Sequence, residues 1–247
     1  MGKITESIKH LIIINVILFI APKLFQGIDL QSLFALHFPE NSGFGYWQYL
    51  THIFMHSQYS FSHILFNMYG LWAFGTPLEQ TWGRNKFLFF YFSAGLGAGI
   101  IYTLVNYYQF NQIYDVLIQL GLQKTEITSI LEARQTNDLR VINGITQEQF
   151  NQITSLFNMQ AVGASGAIYG VLVAFGILFP NAKLALIFFP VPIAAKYFIP
   201  VMILGDFFFG VTKYSVGNIA HFAHIGGAII GFAIAWYWKQ NQFQRWN

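Results

Sequence analysis

The chain has 247 residues, of which 55% are hydrophobic and only 9% are charged, and its formal net charge is +3. A soluble domain usually carries about a quarter charged residues, so this composition is typical of a protein that resides in a lipid bilayer. The Lys and Arg residues form no basic run, which argues against a nucleic-acid partner, and the lack of cysteine excludes disulfides and thiolate catalysis.

Apolar segments long enough to cross a hydrocarbon layer of about 30 Å recur along the chain. They lie near residues 10–26, 58–77, 86–108, 164–181, 195–211 and 221–238. Between the fourth and fifth of these segments, Pro190 and Pro192 prevent a straight helix, and we predict an interfacial turn over 183–195. The sequence therefore predicts an all-α, polytopic membrane protein with six spans and a single domain over residues 1–247.

Basic residues in the short loops predict the orientation, because Lys and Arg are enriched on the cytoplasmic side. With the N-terminus inside, the cytoplasmic residues are Lys3, Lys9, Arg84, Lys86, Lys183, Lys196, Lys239 and Arg245. Lys23 and Lys213 then lie in short outer loops. Both termini are predicted to be cytoplasmic.

One long polar connection, residues 109–160, interrupts the apolar pattern between the third and fourth spans. The orientation makes it extracytoplasmic. Its residues Phe150, Ile153 and Phe157 recur at helical intervals, which predicts short amphipathic helices. The sequence assigns this insertion no role.

Four polar residues in three different spans are predicted to lie at one depth. At about 1.5 Å per residue, Ser165, His224, His63 and Asn67 lie roughly 18 to 24 Å above the inner ends of their spans. A serine and a histidine at one level are the minimum for a base-activated nucleophile, with His224 taking the Ser165 proton. His63 and Asn67, one helical turn apart, are placed to donate hydrogen bonds to a developing oxyanion.

Three motifs carry a resemblance to a known family. They are "HILFN" (His63–Asn67), "GASG" (Gly163–Gly166) with Tyr169 a turn later, and "AHIGGAIIG" (Ala223–Gly231). In this order and on these spans, the sequence resembles the rhomboid family of intramembrane serine proteases.

The resemblance implies a six-helix rhomboid fold, here with an extended extracytoplasmic third loop. It also implies a dyad of Ser165 and His224 without a catalytic carboxylate. The implied oxyanion hole consists of His63, Asn67 and the backbone N–H of Ser165, and Tyr169 is expected to stack on His224. The implied chemistry needs neither a cofactor nor a metal.

The resemblance further implies an endopeptidase that cuts single-pass transmembrane proteins near the outer surface of the bilayer. The expected partners are transmembrane protein substrates and lipid, and the expected location is a bacterial plasma membrane; the oligomeric state stays open. A non-catalytic rhomboid-like protein that binds transmembrane clients is the alternative. A transporter or metal-handling protein that uses the His-rich outer half is a third hypothesis.

Small residues around Ser165 also have a packing interpretation, because small residues four apart let helix backbones approach closely. Gly166 and Gly170 form one such pair, and Gly227 and Gly231 are predicted to seat the sixth span against the fourth. Packing and catalysis are compatible, since close packing would bring Ser165 within reach of the sixth span.

Other polar residues in the outer half have no assigned chemistry. His52 and His56, four residues apart, are interpreted either as metal ligands or, in preference, as structural hydrogen-bonding histidines. His221 is predicted to lie on a different helix face from His224 and to have a structural role at the outer rim. Asp206 has no obvious cationic partner and either caps the outer end of the fifth span or is protonated.

Overall fold

The computed structural model describes residues 3–25, 27, 29–186, 189–212 and 220–244. The helices in these ranges are α1 (Glu6–Leu24), α2 (Leu30–Phe34), α3 (Gln48–Thr51), α4 (Phe61–Gly70), α5 (Thr76–Trp82), α6 (Arg84–Gln119), α7 (Lys124–Ala133), α8 (Leu139–Gly144), α9 (Gln147–Phe157), α10 (Ser165–Leu178), α11 (Ala195–Val211) and α12 (His221–Gln244). The strands are β1 (Leu36–His37), β2 (Gln160–Ala161), β3 (Lys183–Leu186) and β4 (Phe189–Ala194). Lys213 and Arg245, which contribute to the predicted orientation, lie outside the described residues.

Each of the six predicted apolar segments coincides with helical structure. The second is divided, because a wide π-helical turn over Leu71–Gly75 joins α4 to α5. By length and hydropathy alone, α1 and α6 are the two described helices that can cross a bilayer, and α10 is a shorter apolar helix. The protein is thus mostly helical and of membrane-protein character.

The expectation of an all-α chain is wrong at two places, where short antiparallel sheets form. β1 pairs with β2, and β3 pairs with β4 in the segment that we predicted to be an interfacial turn. In the second sheet Lys183 pairs with Ala194, and Leu184 pairs with Ile193. Prolines exclude a helix here but are tolerated in an edge strand, so the segment forms a hairpin instead.

The centre of the fold is the packing of α10 against α12 and α6. Glycines let the first two backbones touch: a Cβ added at Gly227 would overlap the carbonyl oxygen of Gly166, and one added at Gly231 would overlap Gly170. The predicted packing role of Gly227 and Gly231 is therefore confirmed. This close approach fixes the start of α10 against α12.

Helix α6 is much longer than the predicted third span. Its 36 residues correspond to about 54 Å, whereas the hydrocarbon layer is about 30 Å thick. Residues 109–119 continue this helix instead of starting a separate insertion, because neither Gly nor Pro follows Gly99 until Gly121 ends the helix. The helix therefore runs about three turns past residue 108, where the third span is predicted to end.

The rest of the insertion, residues 120–160, folds into a small helical unit on the protruding end of α6, which we call the cap. Its helices α7, α8 and α9 bury a separate apolar core that includes Phe110, Ile127, Leu131 and Ile153. The predicted amphipathic helices are confirmed. With its own core, the cap is a built part of the fold and not a loose loop.

Glu40 attaches the cap to the loop that follows α2. Its carboxylate accepts hydrogen bonds from Lys124 at 2.8 Å and from the hydroxyl of Tyr107 at 2.7 Å. The hydrogen bond from Lys124, together with the one from Tyr107, holds the pKa of Glu40 below its usual value of 4.5. The contact is therefore an ion pair at neutral pH.

Gln48 organises the loop that precedes the second predicted span. Its side chain is fully buried, accepts a hydrogen bond from the His37 N–H at 3.1 Å, and donates one to the Gly43 carbonyl at 2.8 Å. A buried amide with these partners fixes the loop beside β1, and β1 pairs with β2 just before α10.

Candidate active site

Ser165 is the first residue of α10 and follows a sharp turn at Gly163. The turn requires glycine, since Gly163 has a φ of 127° and an added Cβ would lie 2.9 Å from Nε2 of His63. The first four backbone N–H groups of a helix have no partner within it. The backbone N–H of Ser165 therefore has no hydrogen-bond partner within α10, and it lies next to the hydroxyl of the same residue.

His224, in the first turns of α12, lies against Ser165. Its Nε2 atom is 2.8 Å from Oγ of Ser165, a hydrogen-bonding distance. The Tyr169 ring stacks on the His224 imidazole, with centroids 4.2 Å apart and planes 10° from parallel. The expected stacking is present, and it restricts the imidazole to one orientation.

Asp206, in α11, lies on the far side of the same imidazole. Its Oδ1 atom is 3.3 Å from Nδ1 of His224 and 2.5 Å from Nδ1 of His221, and its Oδ2 accepts a hydrogen bond from the Tyr169 hydroxyl. The Asp206 side chain is 9% exposed. The sequence analysis named Asp206 but found no partner for it, because nothing in the chain between α11 and α12 indicates which faces of the two helices meet.

The predicted separation of His221 from His224 is wrong. Three residues turn a helix by about 300°, which leaves the two side chains only about 60° apart on one face. Both rings therefore reach Asp206, and His221 is buried beside the site instead of lying at an outer rim. The spacing alone could have predicted this neighbourhood.

His63 and Asn67, both in α4, lie across the cavity mouth from α12. Nε2 of His63 faces the Gly163 turn, while its Nδ1 lies 3.4 Å from the N–H of Ser57. The Asn67 amide donates to the His63 carbonyl at 2.7 Å and retains a second N–H. The four residues predicted to share a depth thus line one cavity together.

That cavity is open and has a volume of about 1130 Å³. Ser165, His224, His63 and Asn67 line one end of it. Residues of the cap line the other end, among them Arg134 and Asn151. The serine is therefore reached from the side of the fold that carries the cap.

The described histidines and carboxylates offer one group with metal-binding geometry. The ligand atoms of Asp206, His221 and His224 lie within 4.8 Å of one another. Hydrogen bonds among these residues and Tyr169 already account for the arrangement. A cation bound here would compete with His224 for the carboxylate.

His52 and His56 lie outside this group. Nδ1 of His52 is 2.8 Å from the Gln48 carbonyl, which agrees with a structural hydrogen-bonding histidine. His56 is also completely buried. Its ring packs 5.2 Å from that of His63, so the residue supports the cavity wall by contact.

Comparison with known proteins gives several relatives. The chain is 26% identical over 181 residues to Rhomboid protein 1, mitochondrial, of Saccharomyces cerevisiae, which covers 73% of this chain and 39% of that protein. It is 28% identical over 184 residues to RHOMBOID-like protein 12, mitochondrial, of Arabidopsis thaliana, covering 73% and 43%. It is 31% identical over 107 residues to Rhomboid protease GlpG of Haemophilus influenzae, covering 42% and 52%.

The chain spans about half or less of the length of these relatives. The family model described as Rhomboid domain matches residues 43–121 and 126–241, which is most of the chain and includes every residue of the candidate site. The chain belongs to the rhomboid family, which includes intramembrane serine proteases.

Proposed function

We propose that this protein is an intramembrane serine endopeptidase that hydrolyses peptide bonds in or near the transmembrane segments of single-pass membrane proteins. The observation that carries the proposal is the 2.8 Å approach of His224 Nε2 to Ser165 Oγ at the end of an open cavity. Family membership supports it, as does the relative from Haemophilus influenzae, whose name describes a protease.

The first half of the reaction acylates the serine. Oγ of Ser165 attacks the carbonyl carbon of the scissile bond while Nε2 of His224 takes the hydroxyl proton. The resulting tetrahedral intermediate collapses with cleavage of the C–N bond. His224 then returns the proton to the leaving nitrogen, and the other half of the substrate remains as an ester on Ser165.

The second half needs water, which the open cavity admits. His224 removes a proton from the water as its oxygen attacks the ester carbonyl. Collapse of the second intermediate breaks the bond to Oγ, and His224 protonates the Ser165 oxygen as it leaves. The enzyme is restored without a cofactor or a metal.

Negative charge on the carbonyl oxygen is stabilised by donors at the start of α10 and on α4. The N–H of Ser165, the remaining N–H of Asn67 and the imidazole of His63 fill this role. Oriented donors in a protein site stabilise such a charge more than water does, because they need no reorganisation.

Asp206 positions His224 for both steps. With its proton on Nδ1, facing the carboxylate, His224 presents the lone pair of Nε2 to Ser165. The 3.3 Å separation and the shared bonds to His221 and Tyr169 make Asp206 a positioning residue. The resemblance implied a dyad without a carboxylate, so this third residue extends the expected site.

The same proposal includes the arrangement in the membrane. The six helical segments cross the bilayer as one domain, both termini are cytoplasmic, and the cap lies outside the plasma membrane of a bacterium. The length of α6 supports an external cap. The names of two relatives place those proteins in mitochondria, so the location of this protein needs a direct test. Alkaline phosphatase, which is active only outside the cytoplasm, should be active when it is fused within the cap. It should be inactive when it is fused after α12.

The direct test compares wild type with Ser165→Ala in liposomes that contain a single-pass reporter. We expect cleavage by the wild type and none by Ser165→Ala or His224→Ala, with all three proteins equally folded. A fluorophosphonate probe should label Ser165 in the wild type. Folded protein that neither reacts with the probe nor cleaves any of a panel of reporters, but still binds them, would establish the non-catalytic client-binding alternative instead.

A further inference from the structure

The cap forms one wall of the cavity that contains Ser165, and the polar side of α9 contributes much of it. The residues Asn151, Thr154, Ser155 and Asn158 follow one another at intervals of three, one and three. That spacing places them on one helix face, and all four line the cavity. The opposite side of α9, which includes Ile153 and Phe157, is buried in the core of the cap. The polar face of α9 is thus directed at the cavity by the packing of its apolar face.

Two residues of this face are open to a ligand. Asn151 and Ser155 are exposed and line the cavity. Thr154 between them is only 9% exposed, and its Oγ1 atom is buried. The amide of Asn151 and the hydroxyl of Ser155 are therefore the groups on this wall that can form hydrogen bonds with a bound chain.

The charge of the cavity selects among polar ligands. Arg134 lines it, held at the end of α7 in a left-handed conformation with a φ of 56°, and forms no ion pair with any described residue. The described lining residues include no Asp or Glu, while His63, His221 and His224 lie at the other end. The cavity is therefore complementary to a ligand that carries carboxylates.

The size and position of the cavity indicate a polypeptide. Its volume of about 1130 Å³ exceeds the roughly 300 to 1000 Å³ of small-molecule pockets. It is also continuous with Ser165, so a chain bound along α9 would lead directly to the nucleophile. In the proposed membrane arrangement the cap lies outside the bilayer, so only the water-exposed part of a membrane substrate reaches Arg134 and the polar face of α9.

We propose that the cap is a substrate-docking wall: the polar face of α9 and Arg134 bind the water-exposed segment next to the transmembrane helix of a substrate, and they favour segments that carry Asp or Glu. This inference rests on the proposed protease function, whose substrate class it narrows. It gives a role to the insertion, for which the sequence offered none.

The test uses two reporters with identical transmembrane helices and cleavage sites. One carries three Asp residues in its outer segment, and the other carries three Asn residues at the same positions. We expect wild-type kcat/KM to be about two- to fivefold higher for the acidic reporter, as for a partly exposed ion pair, and the difference to shrink in high salt.

Substitutions of Arg134 assign the preference to this residue. Arg134→Gln should abolish it, and Arg134→Glu should reverse it in favour of a reporter with three Lys residues. Lys23→Gln is the control, because it removes the same charge at a position that does not line the cavity and does not hold the cap; its ammonium group lies over the Phe19 ring. Equal rates for the two reporters with wild type, or a preference that survives in Arg134→Gln, would overturn the proposal.

A second measurement does not depend on catalysis. A photoreactive amino acid replaces Asn151 in the Ser165→Ala variant, and crosslinking to each uncleaved reporter is measured in liposomes. More crosslinking to the acidic reporter supports docking, and equal or absent crosslinking refutes it. If the variant crosslinks to the acidic reporter but the wild-type protein cleaves no reporter, the protease proposal is contradicted and the docking proposal stands.

Discussion

Oδ1 of Asp206 lies 3.3 Å from Nδ1 of His224, while Nε2 of the same ring lies 2.8 Å from Oγ of Ser165. The imidazole is therefore held between a carboxylate and the candidate nucleophile, as in a serine-protease triad.

The first prediction concerns Asp206→Asn. We expect kcat to fall by at least about tenfold, and by less than the ~10⁴-fold loss seen when the Asp of a full triad is replaced, because the Asp206 contact is long and shared. KM should change little, because Asp206 acts through His224 and not on the substrate. Gly205→Ala, beside Asp206 on α11 and with nothing within 4 Å of an added Cβ, is the control and should retain activity. An unchanged kcat in Asp206→Asn would leave Asp206 with a structural role only.

The second prediction concerns the oxyanion donors. His63→Ala and Asn67→Ala should each lower kcat by about 10²- to 10³-fold, with KM little changed, because each donor acts on charge that develops after binding. Reaction of Ser165 with a fluorophosphonate should slow in parallel. Leu65→Ala, an exposed position on the same helix, should retain full activity. A loss confined to KM would contradict an oxyanion role.

The third prediction concerns the contact between α10 and α12. Gly227→Ala should destabilise the protein by about 1 to 3 kcal/mol, because the new methyl group would overlap the backbone of Gly166. Activity should fall as well, since Ser165 directly precedes Gly166. Gly205→Ala is the matched control, because nothing lies within 4 Å of an added Cβ there. Thermal unfolding in detergent measures both variants, and equal melting temperatures would contradict the packing argument.

The fourth prediction concerns the pH dependence of the cap. Hydrogen bonds from Lys124 and Tyr107 lower the pKa of Glu40, so its contacts stabilise the cap above the usual value of 4.5 and are lost as the pH falls through the lowered value. Hydrogen exchange in the cap, after correction for the pH dependence of the intrinsic exchange rate, should therefore rise on acidification.

Glu40→Gln provides the comparison, since it should reduce this rise in exchange. It should not abolish the rise, because the pKa values of Glu126 and Asp138 are also lowered, by hydrogen bonds from Gln123 and Arg140. Equal exchange in wild type and variant at every pH would show that Glu40 does not hold the cap.

The fifth prediction concerns metals. Cleavage should be unchanged by EDTA, because proton transfer between Ser165 and His224 requires no cation. Activity that is lost to the chelator and restored by Zn²⁺ would instead assign Asp206, His221 and His224 to a metal centre. That result would favour the metal-handling hypothesis.

Residue counts along the spans were enough to predict that the main site residues lie close together. Counting residues from the inner ends of the spans placed Ser165, His224, His63 and Asn67 at one level, because a membrane helix rises by a constant amount per residue. The cavity that they share agrees with that count. Their chemical roles remain predictions for the experiments above.

Contacts between different helices could not be predicted from such residue counts. Asp206 reaches His224 only because α11 turns one particular face toward α12, and that rotation depends on packing along the whole helix pair. The extent of α6 and the pairing of β3 with β4 were missed for related reasons. A polar run after Tyr107 looks like a loop in an apolar chain, and prolines exclude a helix without indicating a hairpin.

Because α6 runs without interruption from the membrane core to the cap, the number of residues in the helix sets the rotation of the cap about the helix axis. Adding or deleting one residue between Thr103 and Phe110 would turn the cap by about 100° and shift it by about 1.5 Å relative to Ser165. Four residues would turn it by about 400°, which brings it back to within about 40° of its original orientation, with a lift of about 6 Å. The length of α6 thus determines the orientation of the cap, and with it the surface of the cap that faces Ser165.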